Sequence, residues 1–160
     1  MKKNIWLWIG GVIVLLVGVW FASSSTRDGV TTNKTNREIA ESCTSHESNR
    51  FHIHPVLSIY VEGEVQPLPA NVGIVPGCMK TIHTHTPDGV IHIESDEPRD
   101  FTLGDFFANW EQPFSQTQLR DYTTDATHRI RVTVNGADVD TYEQTVLRDH
   151  DQIAIYYEVI

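Results

Sequence analysis

An uncharged run from Ile5 to Ala22, IWLWIGGVIVLLVGVWFA, constrains this chain more than any other feature. Its eighteen residues make about 27 Å of helix at roughly 1.5 Å each, enough to cross the hydrocarbon core of a bilayer. Trp6, Trp8 and Trp20 fall near its ends, where indole favours the headgroup zone. Lys2 and Lys3 precede it, so the positive-inside rule keeps the N-terminus cytoplasmic and sends residues 23–160 across the membrane. A cleaved signal peptide has the same basic start and apolar centre, and Ala22-Ser23-Ser24 would suit cleavage. The run is longer than the roughly 7–15 residues usual there, and Trp20 and Phe21 crowd the cleavage zone, which favours an uncleaved anchor. The expectation is a cytoplasmic stub over 1–4, a transmembrane helix over 5–22 and an extracytoplasmic domain beyond, single-pass in the cell membrane.

From Ser23 the chain reads SSSTRDGVTTNKTNR, nearly devoid of apolar residues, and a polar tether is expected over 23–42. Asn33-Lys34-Thr35 fits the N-glycosylation triplet, a pattern frequent by chance. The whole chain of 160 residues carries 21 acidic and 12 basic residues. Without Lys2 and Lys3 the exported part holds ten basic residues, a formal charge of −11. Such a surface repels phosphate backbones and anionic lipid, which excludes nucleic-acid binding and polybasic membrane adhesion. Residues 43–160 suffice for one ordinary domain and not for an eight-fold barrel enzyme of about 250 residues.

Cys43 and Cys78 are the only cysteines. Outside the cytoplasm a lone pair reads first as a disulfide, with soft-metal thiolate ligation as the alternative. No Cys-x-x-Cys is present, so exchange chemistry has no support.

Five of the eight histidines lie between residues 52 and 92: His52 and His54, His83 and His85, and His92. From Phe51 to Val61 the sequence alternates, with Ile53, Leu57, Ile59 and Val61 on one face and His52 and His54 on the other. Lys80–Thr86 and Val90–Ser95 flank Pro87-Asp88-Gly89, a turn signal. An even-membered loop would set His85 opposite His92 and His83 opposite Glu94, leaving Ile82, Ile91 and Ile93 together on the other face. A three-residue loop with a glycine bulge is the alternative register. The apolar segregation favours the even one. Imidazoles on facing strands come close enough to share an ion, and copper or zinc are the metals that imidazole suits.

Thr102-Leu103-Gly104-Asp105 has capping-box form and predicts one short helix carrying Leu103, Phe106, Phe107 and Trp110 on its apolar stripe. Strands return at His128–Val134, closed by the hairpin signal Asn135-Gly136. Asp149-His150-Asp151 reads as a tight turn before the last strand, where His tolerates positive φ. This end resembles the late turn and strand of small β-grasp domains, though the terminal Gly-Gly of a sulfur carrier is missing. The fold class expected is mainly β with one short helix (α+β), its C-terminal part β-grasp-like. His46, His128 and His150 read as structural or exposed.

At HIHPVLSIYVEGEVQPLPANVGI, CMKTIHTHTPDGVIHIES and FTLGDFFANW the chain resembles an uncharacterised family of membrane-anchored archaeal and bacterial proteins. The shared motifs are His-x-His-Pro, Pro-Ala-Asn-x-Gly-Ile, His-Thr-His, Ile-His-Ile-Glu and Thr-Leu-Gly-x-Phe-Phe, with one departure at His150, where the resemblance implies Gly in the late turn. The resemblance implies that residues 43–160 form one unit, and it implies no activity.

Hydrolase, cupin and zincin motifs are missing: Thr86 to Gly89 follow His85 where a metallo-hydrolase needs Asp-His, and no His-Glu-x-x-His or Gly-x-Ser-x-Gly occurs. No catalytic residue is named. The expectation is a copper or zinc site built from His83, His85 and His92, with His52 and His54 completing or adjoining it and Glu94 as ligand or supporting partner. The alternative is an interaction domain without metal, docking a partner membrane protein, with its histidines as packing or pH-sensing groups.

Overall fold

The computed structural model describes residues 33–44 and 50–160. The Ile5–Ala22 run, the first half of the tether and His46 lie outside them. Among the described residues no helix is long and apolar enough to cross a membrane. The strands are β1 (Phe51–Ile53), β2 (Val56–Val61), β3 (Glu64–Gln66), β4 (Ile74–Val75), β5 (Cys78–Met79), β6 (Ile82–His83), β7 (His92–Ser95), β8 (Gln118–Leu119), β9 (Tyr122–Thr123), β10 (His128–Val134), β11 (Ala137–Val139) and β12 (Gln152–Val159). Helices α1 (Asn36–Ala40) and α2 (Leu103–Asn109) and a short 3-10 turn, Tyr142–Gln144, complete a mainly β, α+β architecture.

Five strands form the larger sheet in the order β11-β10-β12-β2-β3. Its two outer hairpins are closed by two-residue turns in which both residues take positive φ: Glu62-Gly63 (49° and 85°) and Asn135-Gly136 (52° and 82°). Such turns match the twist of their strands and set the register without help from elsewhere. The two hairpins are joined through β12, which is antiparallel to β10 and parallel to β2. Alternation decides the inner face. Leu57, Ile59, Ile130, Val132, Ile153 and Ile155 are buried and belong to one core cluster with Leu103, Phe106 and Phe107 of α2.

The helix α2 starts at the predicted capping box. Thr102 Oγ1 accepts from the Asp105 backbone N–H, and the Asp105 carboxylate accepts from the Thr102 N–H. Two expectations need correction. The chain holds a second helix, α1, which begins at its own capping box of Thr35 and Glu38. The tether therefore ends before residue 42: Ala40 is fully buried, and Arg37 Nε lies 3.0 Å from Asp105 Oδ1 on α2. The helix is held by tertiary packing, since five residues of helix have no stability alone.

The alternating stretch expected as one strand from Phe51 to Val61 is broken at His54-Pro55 into β1 and β2, which join different sheets. Proline has no N–H to offer a ladder, and the break lets β1 leave the large sheet while the alternation of buried residues continues through it. The strand β1 enters a three-stranded antiparallel sheet ordered β1-β7-β6. Cys43 and Cys78 form the disulfide, with Cα atoms 5.2 Å apart. It fastens residues 42–44 alongside 79–81, where Thr44 N–H donates to Met79 O and Thr81 N–H to Ser42 O.

Candidate metal centre

The small sheet sorts its side chains strictly. Ile53, Ile93 and Ile82 are successive cross-strand partners on β1, β7 and β6, and all three are buried in the core. One residue along, the pleat turns the neighbours to the opposite face. There His52 pairs with Glu94 and His83 with His92. His54, just past the end of β1, comes beside His92, with ring centroids 4.7 Å apart. The central strand thus presents His92 and Glu94 between a histidine pair on each side.

The expected register is corrected by two residues. His83, not His85, faces His92, and Thr81, not His83, lies beside Glu94, whose N–H donates to Thr81 O. Parity is unchanged, so Ile82, Ile91 and Ile93 still share the buried side. The cause is non-local. After the Pro87-Asp88-Gly89 turn, Val90 bridges to Val56, Gly89 O accepts from Leu57 N–H, and Ile91 N–H donates to Pro55 O. Gly89 sits at φ 88°, and a Cβ there would lie 2.4 Å from Leu57 O. The returning segment is captured by β2 before it can zip against residues 84–86.

What holds His83 and His85 is the residue between them. Thr84 is fully buried. Its hydroxyl donates to Pro69 O and accepts from Val72 N–H, and its backbone exchanges bonds with Asn71 and Val72. Gly73 closes the same loop, with its Cα so near Ile82 O that a Cβ would lie 2.4 Å away. Behind His83, the Asn109 amide donates to Ile82 O and Ala40 O, tying α2 and α1 to the strand.

The ring of His83 is fully buried and its tautomer follows from its partners. Nδ1 lies 2.9 Å from Lys80 O, a carbonyl that can only accept, so Nδ1 carries the proton and Nε2 presents a lone pair. That Nε2 is 3.2 Å from Nε2 of His85. Two donors on a tetrahedral ion with bonds of about 2.0–2.1 Å stand about 3.3 Å apart. The pair is already at that separation. A carbonyl holding the far nitrogen is also the usual support for a ligating imidazole.

Burial is what chiefly keeps His83 and His92 neutral. Burial, helped by His85 and His92 and opposed by Lys80 O and Glu94, lowers His83 to a pKa of about 4. Burial and then His85, His54 and His52 lower His92 as well. Neutral imidazole is the form that binds metal, so neither ring must lose a proton at pH 7 to become a ligand. Nδ1 of His92 is buried with no hydrogen-bond partner. Glu94, nearly buried, places Oε1 3.4 Å from His52 Nε2 and 3.9 Å from His83 Nε2.

Two groups among the described residues could hold a metal ion: His52, His54 and His92, and His83, His85 and His92, each with ligand atoms within 4.8 Å of one another. The structure therefore brings together all six residues singled out from the sequence. The other described histidines stand apart. His128 stacks on Tyr157 and approaches Asp125 and Glu62, and exposed His150, at φ 62°, makes the expected turn beside Asp149. Sequence reasoning missed Thr84 and Asn109, whose roles depend on contacts 12–69 residues away. No family model, curated protein or solved structure matches the chain.

Proposed function

We propose that this chain is a membrane-anchored extracytoplasmic protein that binds copper or zinc through its histidine cluster. One observation carries the reading: the His83 and His85 donors stand 3.2 Å apart, with His92 completing the triad and the lone pair of His83 fixed by Lys80. Without an ion the same separation is that of a hydrogen bond from exposed His85 to the lone pair of buried His83; the metal reading is supported by His92 joining the two within ligand reach of one ion. Imidazole donors suit Cu and Zn, and a disulfide is at home in the oxidising space beyond the membrane. The role is metal binding, storage or delivery, without a named catalytic residue.

The scaffold reading is a β-grasp core. Two hairpins joined by a helix, with the first and last strands parallel at the centre of a five-stranded sheet, is the β-grasp arrangement, and the strand order supports it. Residues 67–101 are then an insertion between the first hairpin and the helix, and β1 is an N-terminal extension that the insertion captures.

The test is titration of the purified full-length chain with Cu²⁺ and Zn²⁺, followed by calorimetry, beside His85→Ala and His92→Ala. Both variants should lose at least tenfold in affinity. Equal binding by parent and both variants removes the site from this sheet.

A further inference from the structure

The proposed function treats the cluster as a metal site and leaves open how many ions it takes. Resting on that reading, we infer that the cluster is a two-ion centre, one ion on His52 and His54 and one on His83 and His85, with the ring of His92 shared between them as a bridging imidazolate.

The two triads have His92 in common and nothing else, and neither takes a donor from the other's pair. A single ion accepts donors about 3.3 Å apart, so one ion gathering all five rings would have to pull β1 and β6 together across the intervening strand. The sheet opposes this, because β7 lies between them and sets their backbones two ladder steps of about 4.8 Å apart. Five donors split by a central strand serve two ions better than one.

His92 stands between the two pairs. Its ring centroid lies 4.7 Å from His54 and 5.9 Å from His52 on one side, and 4.6 Å from His85 and 5.4 Å from His83 on the other. An imidazole has two nitrogens on different sides of its ring, and it can offer one to each triad. Every singly metallated histidine needs a hydrogen-bond acceptor for its other nitrogen, as His83 has in Lys80 O. His92 has none: its Nδ1 is buried without a partner. A second ion supplies what that atom lacks. On binding both ions the ring gives its one N–H proton to water and donates a lone pair from each nitrogen.

Two divalent ions held this close repel strongly unless anions lie between them. An imidazolate supplies one negative charge. Glu94 supplies another, and its Oε1 already reaches one ligand of each triad, His52 and His83.

The probe is Cu²⁺ alone, titrated into the purified full-length chain and counted by native mass spectrometry, with electron paramagnetic resonance of the loaded protein. Two ions per chain are expected, with most of the spin signal lost to coupling through the shared ring. His52→Ala/His54→Ala alters only exposed or half-exposed rings, so it keeps the fold, and it should bind one ion with a full signal. One ion in the parent, or two uncoupled ions, overturns the inference while leaving the proposed function standing. A second ion persisting in His52→Ala/His54→Ala places that ion elsewhere and also overturns it. Binding of no ion by the parent defeats the proposed function itself.

Discussion

The two sheets of this protein solve the register problem in opposite ways. In the large sheet the outer hairpins are set by Glu62-Gly63 and Asn135-Gly136, turns that fix pairing within two residues of chain. In the small sheet no two paired strands are joined by a tight turn. Strand β6 reaches β7 across residues 84–91, and β1 reaches β7 from some forty residues away. Its alignment comes from outside: the Cys43–Cys78 disulfide, the Thr84 hydroxyl under the 69–73 loop, and Val90 on Val56. Strands of two to four residues bury little on their own, so the polar face of the small sheet can carry imidazoles only because the constraints lie elsewhere. Stability is invested in the larger sheet and precision in the smaller.

Breaking the disulfide should separate the two most. Cys43→Ser with Cys78→Ser frees a loop spanning 35 residues, a loss of about 3–4 kcal/mol by chain entropy. Hydrogen exchange should rise first at Thr81 to His83 while Ile153 and Ile155 amides stay protected; equal loss in both sheets would show that they unfold as one.

Acidification comes next. The pKa of His83 is lowered in the folded state to about 4, against about 6.5 when unfolded. The unfolded chain binds the extra proton between those values, so stability is full above pH 6.5 and falls as pH drops toward 4. The fall is at most about 3 kcal/mol for the metal-free chain. Urea denaturation at pH 7 and pH 4.5 should show it, and His83→Gln should flatten this part of the profile. An unchanged profile in that variant assigns the acid sensitivity to other groups.

The smallest effect is expected at Thr84→Val, which keeps the shape and removes the hydroxyl. Val72 N–H loses its acceptor in a buried place, at a cost of about 1–3 kcal/mol. Thermal unfolding measures that cost, and metal affinity should fall alongside it because His83 and His85 flank the residue. Undiminished affinity would mean that the loop does not set the ring geometry.

Legibility in the sequence follows the same division. The Asn135-Gly136 turn, the His150 turn and the Thr102–Asp105 capping box announce themselves because each is decided within four residues. The disulfide needed only a count of two. The helix α1 carried the same signal, Thr35 with Glu38, inside a stretch whose polarity suggested a tether. The grouping of His52, His54, His83, His85, His92 and Glu94 was readable because period-two alternation fixes the face. Their register was not, because the contacts that decide it, Gly89 on Leu57 and Thr84 on Pro69, are invisible to any local pattern.

The parallel pairing of β2 with β12 has a consequence in time. Gln152 sits beside Val56, so the centre of the large sheet cannot close until the chain has been made through residue 157. The strands that carry the histidine cluster all lie between residues 51 and 95 and form their ladder only with one another, with Asn109 and Asp149 reaching them later. A chain emerging from its N-terminus therefore has its five clustered histidines in hand while the strand that will anchor Leu57 is still unmade. Long-range pairs form slowly, and an ion arriving early would hold the small sheet together through the interval in which the larger one is incomplete.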